Sequence, residues 1–418
     1  MSEPLRERRL ELARQFQQMV RTNPNAWFID GGKTWSFNRL QLSGWLLAPM
    51  EILDHWLACK RSFKNTLKNF EALEAMLKML LQNTSIYRDM LKSEGVTEIP
   101  PRQIGPVMRQ SLDRKDWLTC PIRGTLTAIP TYIIPHCAND TLFHKRKFRY
   151  YYYRVKGFIW PDGWRDANAV DNLAIDDIDN QMSSEDSEWN IIPLDPTLAE
   201  WWEKDIIGLE HLDSLEGGQE GIPEGVTRLR IRFHWFPLPP KGLLGKKQDP
   251  PHQKINLDNP AEIPVSVFDT APENTYGNRY CLIKRGGTTL STGEIFFWDV
   301  KAETAAKTMR VLALRWTLGQ ISAMSGAVNS PHMLKNVIAD KYEDDPDNLL
   351  DEAFGLTGRF SHEMRAENYM PRLPSIIRKE RKREELSWRR AECEYSGDPF
   401  TMTEEERKEA GEDSGVET

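Results

Sequence analysis

Leu118-Thr-Cys-Pro-Ile-Arg-Gly124, running on to Tyr132-Ile-Ile-Pro135, and Trp189-Asn-Ile-Ile-Pro-Leu-Asp-Pro-Thr-Leu-Ala-Glu-Trp-Trp202 are the stretches on which the fold of this chain turns. Pro and Gly punctuate β-branched runs in the first, which therefore reads as two short β segments around a Gly turn. The second reads as a strand entering a helix. Asp195 stands where an N-cap belongs, with a carboxylate able to accept a backbone N–H, and Pro196 follows at the first helical position, where a missing N–H costs nothing. Two strands, a long insertion, then a strand and a helix give a ββα order.

Around that order the residues extend a pattern. Cys120, Gly124, Ile133 and Pro135 are followed by Asn190, Ile192, Leu194, Pro196 and Trp202, then by Phe233-His-Trp235 and Met324-Ser-Gly-Ala327. In this set the chain resembles the HNH-nuclease-domain proteins abundant in filamentous fungi, over roughly residues 110 to 328. The resemblance implies a ββα-metal module, a divalent metal such as Mg²⁺ or Zn²⁺, and phosphodiester hydrolysis. It also exposes two departures. Tyr132 stands where that family has the His that deprotonates water, and Ala199 where it has a metal-binding His, while Asn190 keeps the family's Asn. A Tyr of pKa about 10 is ionised to roughly one part in a thousand at neutral pH, so as a base it starts about 4 kcal/mol behind. Ala has no atom to offer a metal.

Surrogates are few. His136 lies four residues beyond Tyr132, roughly 13 Å along an extended chain, and reaches the same place only if the loop turns at Pro135. Asp195 precedes Ala199 by one helical turn and Glu200 adjoins it, so both are candidate metal ligands, with capping the simpler role for Asp195. His144 and Cys137 match no standard metal spacing, and His234 reads as a satisfied structural histidine among apolar neighbours.

Elsewhere the readings are broader. Apolar residues at helical spacing in 3–22, 38–62 and 63–93 predict an N-terminal helical hairpin, which either packs on itself or dimerises. Residues 95–111 read as a linker. The insertion, 136–188, contains Lys145, Arg146, Lys147 and Arg149 among tyrosines, suited either to DNA or RNA contact or to a helix whose Phe148, Tyr151, Tyr152 and Val155 are core. Its end, 171–188, is acidic. Val226 to Trp235 alternates, which predicts a strand whose Arg228, Arg230 and Arg232 form a basic outer face, solvated or gripping phosphates. A Pro-rich irregular stretch follows, then a hairpin from 279–284 and 292–299, then a helix over 302–325 stopped by Gly326.

Beyond residue 331 the patterning fades into a charged tail with a basic cluster at 378–383, a nuclear-import signal or an ordinary solvated helix. The fold class is thus α+β. Its parts are a helical region (1–94), the linker, the HNH-like module with its insertion (112–240), a loop, hairpin and closing helix (241–330), and the tail.

Composition narrows the function classes. Thirty-nine per cent hydrophobic residues and 14 Trp suffice for a sizeable core. Five widely spaced cysteines without a Cys-x-x-Cys pair predict reduced thiols and an intracellular site, nuclear or cytoplasmic. No run of about 18 apolar residues predicts a membrane span. A net charge of −7 argues against a globally electrostatic nucleic-acid binder and leaves only a local patch. The expected function is a catalytically impaired HNH-like protein that binds nucleic acid or a partner. The alternatives are an active endonuclease using surrogate residues and a dimerising scaffold.

Overall fold

The computed structural model describes residues 3–23, 34–58, 63–81, 108, 119–135, 151, 155, 188–219, 221–238, 250–284 and 286–327. The chain divides into two units, Met1–Asp340 and Lys341–Thr418, and every described residue belongs to the first. The charged tail, the basic cluster at 378–383, the linker apart from Met108, and the insertion apart from Tyr151, Val155 and Glu188 lie outside the described residues.

Four helices open the chain: α1 (Glu3–Thr22), α2 (Arg39–Leu47), α3 (Met50–Ala58) and α4 (Phe63–Leu81). The simple hairpin expected from periodicity is broken at Pro49. Ala48 before it is extended, with φ −61° and ψ 145°, because the proline ring disfavours helical backbone in the preceding residue. Asn38 starts α2 with a reciprocal cap, accepting from Gln41 N at 2.8 Å while its own N–H donates to Gln41 Oε1 at 3.0 Å.

Apolar faces of these helices pack on one another within the chain. Phe16, Phe37, Trp45 and Phe70 are fully buried, and the Phe16–Trp45 and Phe37–Trp45 ring centroids are 5.1 and 5.4 Å apart. Aromatic pairs at this spacing contribute about 0.5–1.5 kcal/mol each beyond their buried area. Val155 is buried in the same core and Tyr151 packs against it, which is the core alternative for those two residues of the insertion.

The Pro-rich stretch is irregular where described, yet it is packed. Ile255 and Leu257 are buried against the helices, and the backbone bonds Ile255 N→Phe37 O and Arg39 N→Gln253 O, 2.9 and 3.0 Å, tie it to the start of α2.

Two small antiparallel sheets follow. β1 (Ile129–Tyr132) pairs with β2 (Ile191–Leu194), with Tyr132 opposite Ile191 and Ile129 opposite Leu194, and α5 (Pro196–Glu203) leaves β2 directly. The second sheet has the order β3 (Ile207–Leu215), β4 (Val226–Trp235), β5 (Ile295–Lys301). Leu229, Ile231, Phe233 and Trp235 alternate inward and share a core with Ile192, Leu194, Leu198, Ala199 and Trp202 of the ββα unit.

Two expected β elements are absent among the described residues. Residues 120–124 form a tight turn, in which Cys120 N donates to Thr125 O, Gly124 N donates to Cys120 O, and Gly124 has φ 69°. The expected hairpin across the Gly-Gly turn reduces to one bridge, Ile283 to Thr289. Its second arm instead pairs with β4, where Trp298 lies opposite Leu229 and is buried. That register wins because it buries an indole, whereas Arg279, Tyr280 and Cys281 of the first arm are exposed.

The closing helix α6 (Ala302–Ser325) ends as read from the sequence, with Gly326 at φ 77° capping the last turn. Leu314, Leu318, Ile321 and Met324 join the core of the N-terminal helices, and Leu312 joins that of the sheets. Among the described residues, no helix is long and apolar enough to cross a membrane.

Candidate functional site

Asn190 is the fixed point of the ββα unit. Fully buried, it accepts from Ile134 N through Oδ1 and donates through Nδ2 to Ile134 O, both at 2.8 Å, while its own carbonyl takes Ile133 N at 2.8 Å. The side chain thus acts as an extra rung of sheet beyond β1, where the strand pairing has ended. It pins the backbone that leads to His136, itself outside the described residues.

Tyr132, at the end of β1, is only 5% exposed and clusters with Met108 and Ile191. Its carbonyl accepts the Trp202 indole N–H at 3.3 Å. Ala199 is 2% exposed on the inner side of α5, within the core shared with the second sheet. Tyr132 is therefore a covered phenol and Ala199 a core methyl group.

Asp195 is the N-cap that its position suggested. Oδ1 accepts from Thr197 N at 3.0 Å, and Oδ2 takes Arg123 Nη1 at 2.8 Å and Thr125 Oγ1 at 3.3 Å. Both oxygens thus serve the cap and the turn. Glu200 pairs with Lys204 one turn on, at the surface. An HNH-type site would need a divalent ion and several ligands to hold it. Among the described residues, no group of three or more His, Cys, Asp or Glu side chains is placed to hold a metal ion.

Cys120 completes the turn from within. It is buried, accepts Arg123 N–H at 3.4 Å, and has its thiol pKa pushed up by burial. A thiol held neutral in this way packs like a small apolar group and is a poor nucleophile or metal ligand.

The arginine row is real but is not a basic face. Arg228, Arg230 and Arg232 do share one side of β4, and each meets an acid from a neighbouring strand. Asp299 grips Arg228 through two bonds of 2.6 and 2.8 Å, Asp213 lies 3.2 Å from Arg230, and Glu210 lies 3.2 Å from Arg232. Three arginines and three carboxylates balance, so phosphate attraction at this face is offset where it stands. Lys145, Arg146, Lys147 and Arg149 lie outside the described residues.

His234 corrects a second expectation. Its Nε2 meets Glu210 Oε2 at 2.9 Å and its ring lies 4.7 Å from that of Trp316, but Nδ1 is buried with no partner among the described residues. It is thus half satisfied, and a carboxylate joins its aromatic neighbours.

Sequence reading missed a buried ion pair between Asp205 and Arg315, 2.5 Å apart and 2% and 7% exposed respectively on their side chains. Burial raises the Asp205 pKa, and the Arg315 charge opposes that rise. One signal was available: Arg315 sits inside Leu314-Arg-Trp-Thr-Leu318, a place where an apolar helix face carries a charge only if something meets it.

No protein-family model, curated protein or solved structure matches the chain.

Proposed function

We propose that the chain carries a degenerate HNH-type ββα module that has lost efficient phosphodiester cleavage and acts in binding, on nucleic acid or on a protein partner. One observation carries this reading. Asn190 still braces the strand end as a nuclease of this kind requires, while Tyr132 and Ala199, at the base and metal positions, are both buried and chemically unsuited. Base and metal are lost independently, whereas the scaffold residue between them is kept. The charge-balanced arginine row favours a protein partner over nucleic acid at the second sheet.

The test is a cleavage assay on supercoiled and single-stranded DNA with Mg²⁺, Mn²⁺ or Zn²⁺. Wild type is run beside the double variant Tyr132→His, Ala199→His. A silent wild type is expected, and gain of cutting in the double variant would identify the module as a disarmed nuclease. Robust metal-dependent cutting by the wild type overturns the proposal.

A further inference from the structure

Between α5 and β3 the chain takes a turn that glycine would make most cheaply. Asp205 has φ 47°, the one non-glycine residue with positive φ among the described residues. Left-handed backbone crowds Cβ against the carbonyl, so the residue after a helix is commonly Gly. Here the position holds a carboxylate instead, and buries it.

The carboxylate has a specific use. Arg315 of α6 lies 2.5 Å from Asp205 Oδ1, and the same guanidinium nitrogen donates to Trp202 O, near the end of α5, at 2.6 Å. The guanidinium also stands 4.9 Å over the Trp202 ring. Trp202 in turn donates its indole N–H to Tyr132 O, 3.3 Å away, at the end of β1. Gly319, one turn beyond Arg315, keeps α6 close: a Cβ there would lie 3.1 Å from the Phe236 ring and 3.8 Å from Asp205 Oδ1. A continuous chain of contacts therefore runs from α6 through the ion pair and the indole to the backbone that Asn190 braces from its other side.

We propose that Asp205 and Arg315 are positioning residues for the segment following β1, acting through Trp202. Desolvation offsets much of what a buried ion pair gains, and apolar replacements are often as stable, so stability alone is a weak reason for one. Geometry is a better one. One terminal nitrogen of Arg315 lies against both the carboxylate and the helix-end carbonyl, while its guanidinium plane covers the indole face. Lysine has the charge without the plane. The inference rests on the proposed function only for what the positioned segment is used for. The contacts themselves do not depend on it.

Hydrogen exchange read by mass spectrometry on the full chain tests this without any ligand. The variants are Arg315→Lys, Arg315→Met, Asp205→Asn and Asp205→Gly. Asn accepts left-handed backbone and keeps the shape while removing the charge, and Gly relieves the turn altogether.

The segment 129–135 is expected to exchange about tenfold faster or more in Arg315→Met, Asp205→Asn and Asp205→Gly, with the central β4 segment 228–232 unchanged and Arg315→Lys intermediate. Equal acceleration of both segments would mean a merely structural pair and overturn the inference, as would wild-type exchange at 129–135. Wild-type protection in Asp205→Gly alone would overturn the role given to Asp205. DNA cutting by the wild type would defeat the functional reading and leave this result untouched.

Discussion

Replacing Asn190 by Ala removes one side chain and orphans two backbone groups. Ile134 N and Ile134 O each lose a 2.8 Å partner, in a residue that is itself buried. An unpaired buried polar group costs about 1–3 kcal/mol, so the pair is worth about 2–6 kcal/mol before any relaxation, with about 4 kcal/mol at the centre. Asn190→Asp sharpens the test. The carboxylate still accepts from Ile134 N, but its second oxygen now faces Ile134 O, turning a bond into a repulsion at a fully buried site.

Urea unfolding followed by circular dichroism should therefore place both variants well below wild type, with Asn190→Asp no more stable than Asn190→Ala at neutral pH. A loss under about 1 kcal/mol in Asn190→Ala, or an Asp variant clearly milder than the Ala variant, would refute the bracing role.

Three further outcomes are expected. Burial alone would raise the Glu74 pKa, but His252 at 3.1 Å and Lys78 at 2.8 Å more than offset it and lower it from 4.5 to about 2. A depressed carboxylate contributes stability that is complete above pH 4.5 and is lost as pH falls toward 2, at most about 3 kcal/mol. Glu74→Gln should thus melt lower than wild type at pH 6, with the gap narrowing between pH 4.5 and 3; a gap independent of pH would refute this.

Gly208→Ala would place a Cβ 2.4 Å from Trp316 Cζ3 and 2.6 Å from Phe236 Cζ, both in buried rings, so a thermal melt should show overpacking of about 1–3 kcal/mol or more. Neutralising the acids beside the arginine row, in the triple variant Glu210→Gln, Asp213→Asn, Asp299→Asn, should raise affinity for duplex DNA. It should also steepen its salt dependence by up to about three counterions, and no change would show that the row is sterically closed to phosphate.

Local signals were legible where one residue decides the backbone. Pro196 and Asp195 marked the start of α5, Gly326 the end of α6, and alternation of Leu229, Ile231 and Phe233 the inner face of β4. Long-range choices were not. Residues 295–301 have strand character whichever neighbour they join, and what selected β4 was burial of Trp298 opposite Leu229, a fact of the assembled sheet. Charge balance was illegible for the same reason. Three arginines at alternate positions say that they share a face, but Asp299, Asp213 and Glu210 come from two other strands, and no pattern within β4 announces them.

Tyr132 and Ala199 bear most on function, and burial changes what their identity means. On an open surface, Tyr for His would leave a phenol beside the water, and a single reversion would suffice to restore a base. Here Tyr132 lies under Met108 and Ala199 faces the core formed with Leu198, Trp201 and Trp202. Histidine at 199 would have to displace packed side chains or present its ring at the protein interior, and overpacking of this kind costs about 1–3 kcal/mol. Under the proposed reading, the packing of the module opposes catalysis as well as its chemistry. Arg315 carries a buried charge as well. This chain spends it on holding Trp202 and the end of β1 in place.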